Sequence, residues 1–198
     1  MTPALSLRTD PTVLKARDTA ALVKMTSLGE GRWKVLVWTL LCFKESLSLV
    51  EIAAEDDPAG MRHYYINVGE TLEPVQYNTS YIQELAKRFG LALNRDRVDD
   101  YVRLYLAFSR GQAGRVIPVE QIDQLPLREE LTLITRRKLQ SAITPLVATD
   151  ASHVSGCYLI GDKLFSATAI VSEDGAVTLE PQGLIADTLP ILDTVFEG

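Results

Sequence analysis

The sequence predicts an α+β fold: a single domain spanning 1–198, helices packed on a mixed or antiparallel sheet, and a C-terminal three-stranded β-meander over 155–180. Three observations carry this reading. Helical periodicity is concentrated in an N-terminal helix, 10–28, and a helical hairpin, 80–110. The β-branched and aromatic runs stand apart from these helices instead of alternating with them. The last part of the chain is cut by two dipeptides, Gly161-Asp162 and Asp174-Gly175, that tolerate positive φ and signal hairpin turns. Helices segregated from a terminal run of strands favour α+β over a doubly wound sheet.

Each element has a local reason. Asp10 is a good N-cap and Pro11 suits the first helical position, where a missing N–H costs nothing. Leu14, Ala21, Leu22, Met25 and Leu28 then recur at helical spacing, and Gly29 suits the residue beyond the helix. From Arg32 to Ala54 there is no Gly or Pro. "WKVLVWTLLCF" is rich in β-branched and aromatic residues, and "SLSLVEIA" alternates, so two strands broken near "FKES" are expected; one long helix is the competing reading. "HYYINV" reads as a further strand. Ser80 followed by Gln83 has the spacing of a capping box. Ile82, Leu85 and Phe89 form one stripe, and Gly90 ends that helix. Asn94 is placed to cap a second helix carrying Val98, Tyr101, Val102, Tyr105 and Phe108. "RVIPVE" is a short strand that Pro118 assigns to a sheet edge. "PLREELTLITRRKLQSA" reads as helix from Leu127, Leu131 and Ile134.

Composition narrows the function classes. A chain of this length can bury a core without disulfides or metals. The formal net charge is −6, which repels nucleic acid and anionic membrane at long range. Two cysteines, Cys42 and Cys157, make no disulfide framework, and the reading is a reduced, cytoplasmic setting of bacterial type. "MTPALSLRTDPTVL" lacks a basic region followed by an apolar one, so no signal peptide is expected. The longest uncharged apolar run, Val35 to Phe43, falls well short of the roughly 20 residues of a membrane helix. No membrane partner is expected.

The segment "ELAKRFGLALNRDRVDDY" resembles the helix-turn-helix of bacterial regulators in its "ELAKRFGL" half. The resemblance covers about twenty residues and implies a DNA-binding regulator acting through 80–111. Charge argues against it. Asp96, Asp99 and Asp100 put carboxylates on the first turns of the would-be recognition helix, where they repel phosphates, and Arg95, Arg97 and Arg103 offset them only in part. Tyr101, Tyr105 and Phe108 read as a buried helix face, and Asp99–Arg103 as a solvated i, i+4 pair.

The catalytic candidates are Cys157, His153 and Asp150. A thiolate nucleophile needs a base within hydrogen-bond reach. On a strand, His153 and Cys157 share a face but lie roughly 13 Å apart, so only a kink at Gly156 would join them. The turn at Gly161-Asp162 sets Cys157 opposite Ser166 and Tyr158 opposite Phe165. Cys157 then lies on a mixed face as a small half-buried residue. A zinc site would need Cys42, His63, His153 and Cys157 together, without the usual close pairs. Glu55, Asp56 and Asp57 read as a solvated acidic loop. There is no GxSxG, Walker A, GxGxxG or HExxH, so no cofactor or metal is implied.

The expectation is therefore a non-catalytic protein- or ligand-binding or adaptor module, with an exposed meander edge as the docking surface for another protein or a second copy. A deep polar pocket would count against it. A small enzyme or ligand-binding protein using the Cys157 face is the alternative, and the DNA-binding regulator the second.

Overall fold

A computed structural model describes residues 7, 10–57, 60–110 and 115–192. Among them the fold is α+β, with two antiparallel sheets. The first sheet runs in simple sequence order: β1 (Thr12–Val13), β2 (Trp33–Leu40), β3 (Leu47–Ala54), β4 (Arg62–Val68) and β5 (Thr71–Pro74). Its α1 (Ala16–Val23) precedes β2. A helical hairpin follows, α2 (Thr79–Phe89) and α3 (Val98–Phe108). The second sheet comprises β6 (Val116–Val119), β7 (Val147–Ala148), β8 (His153–Ile160), β9 (Lys163–Val171) and β10 (Val177–Ala186), with α4 (Leu133–Ala142) inserted between β6 and β7. Its order is β10-β9-β8-β6, and β7 also pairs with β8.

The competition at 32–54 resolves as strands. β2 and β3 pair from Trp33 opposite Ala54 to Leu40 opposite Leu47. Both faces of this sheet are buried, so the run reads as continuously apolar. Trp38, Leu40, Leu49 and Ile66 face the helical hairpin. Val35, Val50, Ile52 and Tyr65 face the other way, toward α1.

α3 is buried almost all round, because the hairpin lies between the two sheets. Phe43 meets Tyr101 edge-on at 6.1 Å and Tyr64 meets Phe108 at 5.2 Å on the side of the first sheet. On the other side the same core cluster takes in Val154, Tyr158, Ala167 and Ala169. A second cluster, with Leu139, Leu159 and Leu164, fills the far face of the second sheet.

Several local expectations are corrected. The N-terminal helix does not span 10–28: the β-branched Thr12 and Val13 pair with Val37 and Leu36, and the helix proper begins at Ala16 with Lys15 as a cap lacking a side-chain bond. It ends at Val23, whose carbonyl is taken by the Thr26 hydroxyl at 2.7 Å. The cap of α2 is Asn78, whose Oδ1 accepts from the Tyr81 amide at 2.8 Å, in place of Ser80. Arg97 precedes α3, and Asn94 closes the turn before it by accepting from the Asp96 amide. α4 starts only at Leu133, capped by Thr132, and Ile134 is exposed. Gly90 does end α2, at φ +65°, in the region glycine occupies without steric cost.

The meander is as expected in kind. Its strands run 153–160, 163–171 and 177–186, with Cys157 opposite Ser166 and Tyr158 opposite Phe165. β6 lies at a sheet edge. Among the described residues no helix is long and apolar enough to cross a membrane.

Candidate functional site

The residues singled out in sequence fall into two separate places. Asp150 and His153 do come together. The Asp150 Oδ1 accepts from the Ser152 and His153 amides at 2.7 and 2.9 Å and lies 2.9 Å from His153 Nδ1. These bonds, led by the Ser152 amide, hold the Asp150 carboxyl well below the usual carboxylate range. The arrangement is an Asx turn leading into β8.

Cys157 stands apart from both. β8 keeps an unbroken register with β9 from His153 to Ile160, so no kink carries the cysteine toward the histidine. Gly156 has a different role: a Cβ there would run into the Leu146 side chain. Cys157 is fully buried, not half-buried, because α4 and the stretch around Leu189 and Ile191 cover the face expected to be mixed. Its Sγ accepts from the Thr144 amide at 3.4 Å and lies 3.8 Å from the Ala142 carbonyl.

The remaining candidates are dispersed as well. Cys42 is buried in the central cluster and Cys157 in the one beyond the second sheet, while His63 packs edge-on against Trp33. Among the described residues no three His, Cys, Asp or Glu side chains stand together as a metal would require. In the would-be recognition helix, Asp99 is wholly buried. The pair with Arg103 is not solvated. Arg103 is 7% exposed, grips Glu120 with both terminal nitrogens at 2.6 and 2.8 Å, and has Asp99 at 3.8 Å. Burial works against its charge, but Glu120, Asp99 and Asp100 together outweigh burial and the Arg103 pKa is raised. This face of α3 points into protein, against β6.

A feature that sequence reading missed lies on the outer face of the first sheet. There α1 and the turn after it roof a cavity of about 500 Å³. Leu14, Ala20, Val23, Leu28, Trp33 and Val35 supply its apolar walls. Its rim is fixed. The Trp33 Nε1 donates to the Gly29 carbonyl at 3.2 Å, and Arg32 pairs with Glu55 at 3.2 Å across the open end of the β2–β3 hairpin. The signal available in sequence was the alternation Trp33, Val35, Val37, which defines an apolar outer face. Nothing in that alternation says that an eight-residue helix, burying only Thr19 and Val23, would leave the face incompletely filled.

Comparison of the chain with family models, curated proteins and solved structures finds no match.

Proposed function

We propose that this chain is a non-catalytic binding module whose ligand site is the cavity beneath α1, and that the ligand is a small, mainly apolar molecule. The observation that carries the reading is the cavity itself, about 500 Å³ with predominantly apolar walls. Pockets for small ligands occupy roughly 300–1,000 Å³ and pair apolar walls with a few polar groups at the rim. Here those groups are Thr19, Lys24 and the Arg32–Glu55 pair.

Physical reasons favour the cavity over a sheet edge. β10 is ten residues long and largely exposed, which would suit an added strand. It also carries Glu180, Pro181 and two register shifts, at 181–183 and 184–186. Prolines, charges and bulges are the devices that blunt an edge against pairing. Both cysteines are free and buried, which supports a reducing, cytoplasmic setting.

The test uses anilinonaphthalene sulfonate as an apolar probe and the emission of Trp33, which lines the cavity. Saturable probe binding with a shift in Trp33 emission is expected. Ala20→Phe should fill the space and abolish binding while leaving the circular dichroism spectrum unchanged. Undiminished probe binding by a folded Ala20→Phe protein would remove the cavity as the site.

A further inference from the structure

Arg115 leads into β6 and is almost wholly buried, at 6% exposure. Its Nε is shut off from water and makes no hydrogen bond. The groups acting on its charge are Arg110, Tyr64 and Tyr77, none of them a carboxylate. Burial first, and the Arg110 charge after it, pull the Arg115 pKa down to about 10. A desolvated guanidinium is costly unless an anion meets it, and here the adjoining charge is of the same sign.

Arg110 comes from the end of α3. Its guanidinium lies over the Tyr77 ring, 5.0 Å from the centroid, and its Nη1 donates to the carbonyls of Ala107 and Ser109 at 3.2 and 3.1 Å. Thr79, the first residue of α2, donates its hydroxyl to the Arg110 carbonyl at 2.8 Å. The N-terminus of α2 therefore lies beside Arg110, and its first turn has no acidic residue. The Ser109 hydroxyl next to it is buried without a partner. Glu51 is the carboxylate that acts on Tyr77, and it is already engaged by Arg62 at 2.6 Å and by the Tyr64 hydroxyl at 2.8 Å. Tyr77, 40% exposed, brings the cluster to the surface.

We propose that Arg110 and Arg115, flanked by Tyr77 and the α2 N-terminus, form a binding site for a phosphate group. Arg110 acts on the charge of the buried Arg115, and one doubly charged tetrahedral oxyanion reached by both guanidinium groups would neutralise them, whereas a carboxylate would neutralise only one. Planar guanidinium forks match phosphate oxygens bidentately, and a helix N-terminus favours an anion. Tyr77, 40% exposed, puts an aromatic contact for an organic phosphate ester at the surface of the site.

The experiment is calorimetric titration of the full chain with inorganic phosphate and with phenyl phosphate, at constant ionic strength, with acetate and chloride as controls. Saturable binding of phosphate but not of the controls is expected. Tighter binding of phenyl phosphate would assign the site to a phosphate ester, and equal binding to free phosphate; both support it. Arg115→Met should weaken phosphate binding roughly tenfold or more, the loss expected for charge-assisted hydrogen bonds. In phosphate-free buffer its melting temperature should be unchanged or higher, since a buried unmatched charge is gone. Phosphate binding no stronger than the controls would overturn the proposal. So would a folded Arg115→Met protein that binds phosphate as well as the parent. If Arg115→Met does not fold, the half-exposed Arg110→Gln decides by the same criterion. Ala20→Phe should leave phosphate binding intact, which separates this site from the cavity beneath α1.

Discussion

At the scale of single residues, burial decides what the reactive letters of this sequence do. Cys42 is 1% exposed and Cys157 is 0%. Burial, with the Asp100 charge behind it, pushes the Cys42 thiol up to about 12, so almost no thiolate exists at neutral pH. Thiol reactivity follows thiolate content and access. Folded protein should therefore release almost no chromophore from DTNB over minutes at pH 8, whereas protein unfolded in guanidinium should titrate two thiols. Fast reaction of one thiol in the folded state would reopen the Cys157 face as a chemical site. His153 shows the same dependence on place. It sits four residues from the cysteine on one strand, and its partner is Asp150, in its own turn.

At the scale of elements, the turns were legible and the docking between elements was not. Asp174-Gly175 is a turn in sequence and in structure. Only the fold shows that this turn is also a contact. Tyr101 in α3 donates its hydroxyl to the Gly175 carbonyl at 2.6 Å. Gly175 sits at φ +84°, and a Cβ there would come within 2.6 Å of the Ala86 Cβ and 2.7 Å of the Tyr101 oxygen. Gly175→Ala combines backbone strain with a clash against both helices of the hairpin. It should cost about 2–4 kcal/mol, the sum of a strained φ and an overpacked contact. Chemical denaturation of the two proteins measures it; a difference below about 1 kcal/mol would mean that the turn moves freely away from the hairpin.

At the scale of the whole molecule, the hairpin lies between two sheets, and the Arg103–Glu120 pair ties α3 to the end of β6. Glu120 also accepts from the Leu146 amide at 3.1 Å, so the same carboxylate reaches the segment leading to β7. Truncating one partner of a buried pair leaves the other charge desolvated, and costs about 3–5 kcal/mol. Arg103→Ala should fall in that range by urea titration. Arg103→Met with Glu120→Gln should recover part of the loss, because it removes both charges of the pair while the buried Asp99 stays in place. If the double variant is no more stable than Arg103→Ala, the pair is not what couples α3 to the second sheet. The neighbouring Asp99–Arg103 pair reads from sequence as solvated, yet both side chains are buried, since i, i+4 spacing is equally compatible with an exposed and a buried face.

The sequence by itself determined the class of fold, the meander with the register of its first hairpin, the helical hairpin and the burial of the Tyr101, Tyr105, Phe108 stripe. These follow from local rules: turn dipeptides that admit positive φ, two-residue hairpin geometry, and apolar spacing along a helix. It misplaced the ends of α1 and α4, where pairing of Thr12 and Val13 with β2, and the late cap at Thr132, overrode apolar spacing. Tertiary structure alone decided which faces are covered. It covered both faces of the central strands of each sheet, drew Asp99, Arg103 and Cys157 inside, left a cavity under a helix too short to fill it, laid Arg110 over Tyr77 and buried Arg115 within reach of its charge. The reason is physical. Propensity and periodicity act over a few neighbouring residues, whereas covering, cavities and charge clusters depend on side chains distant in sequence that meet only in the folded chain.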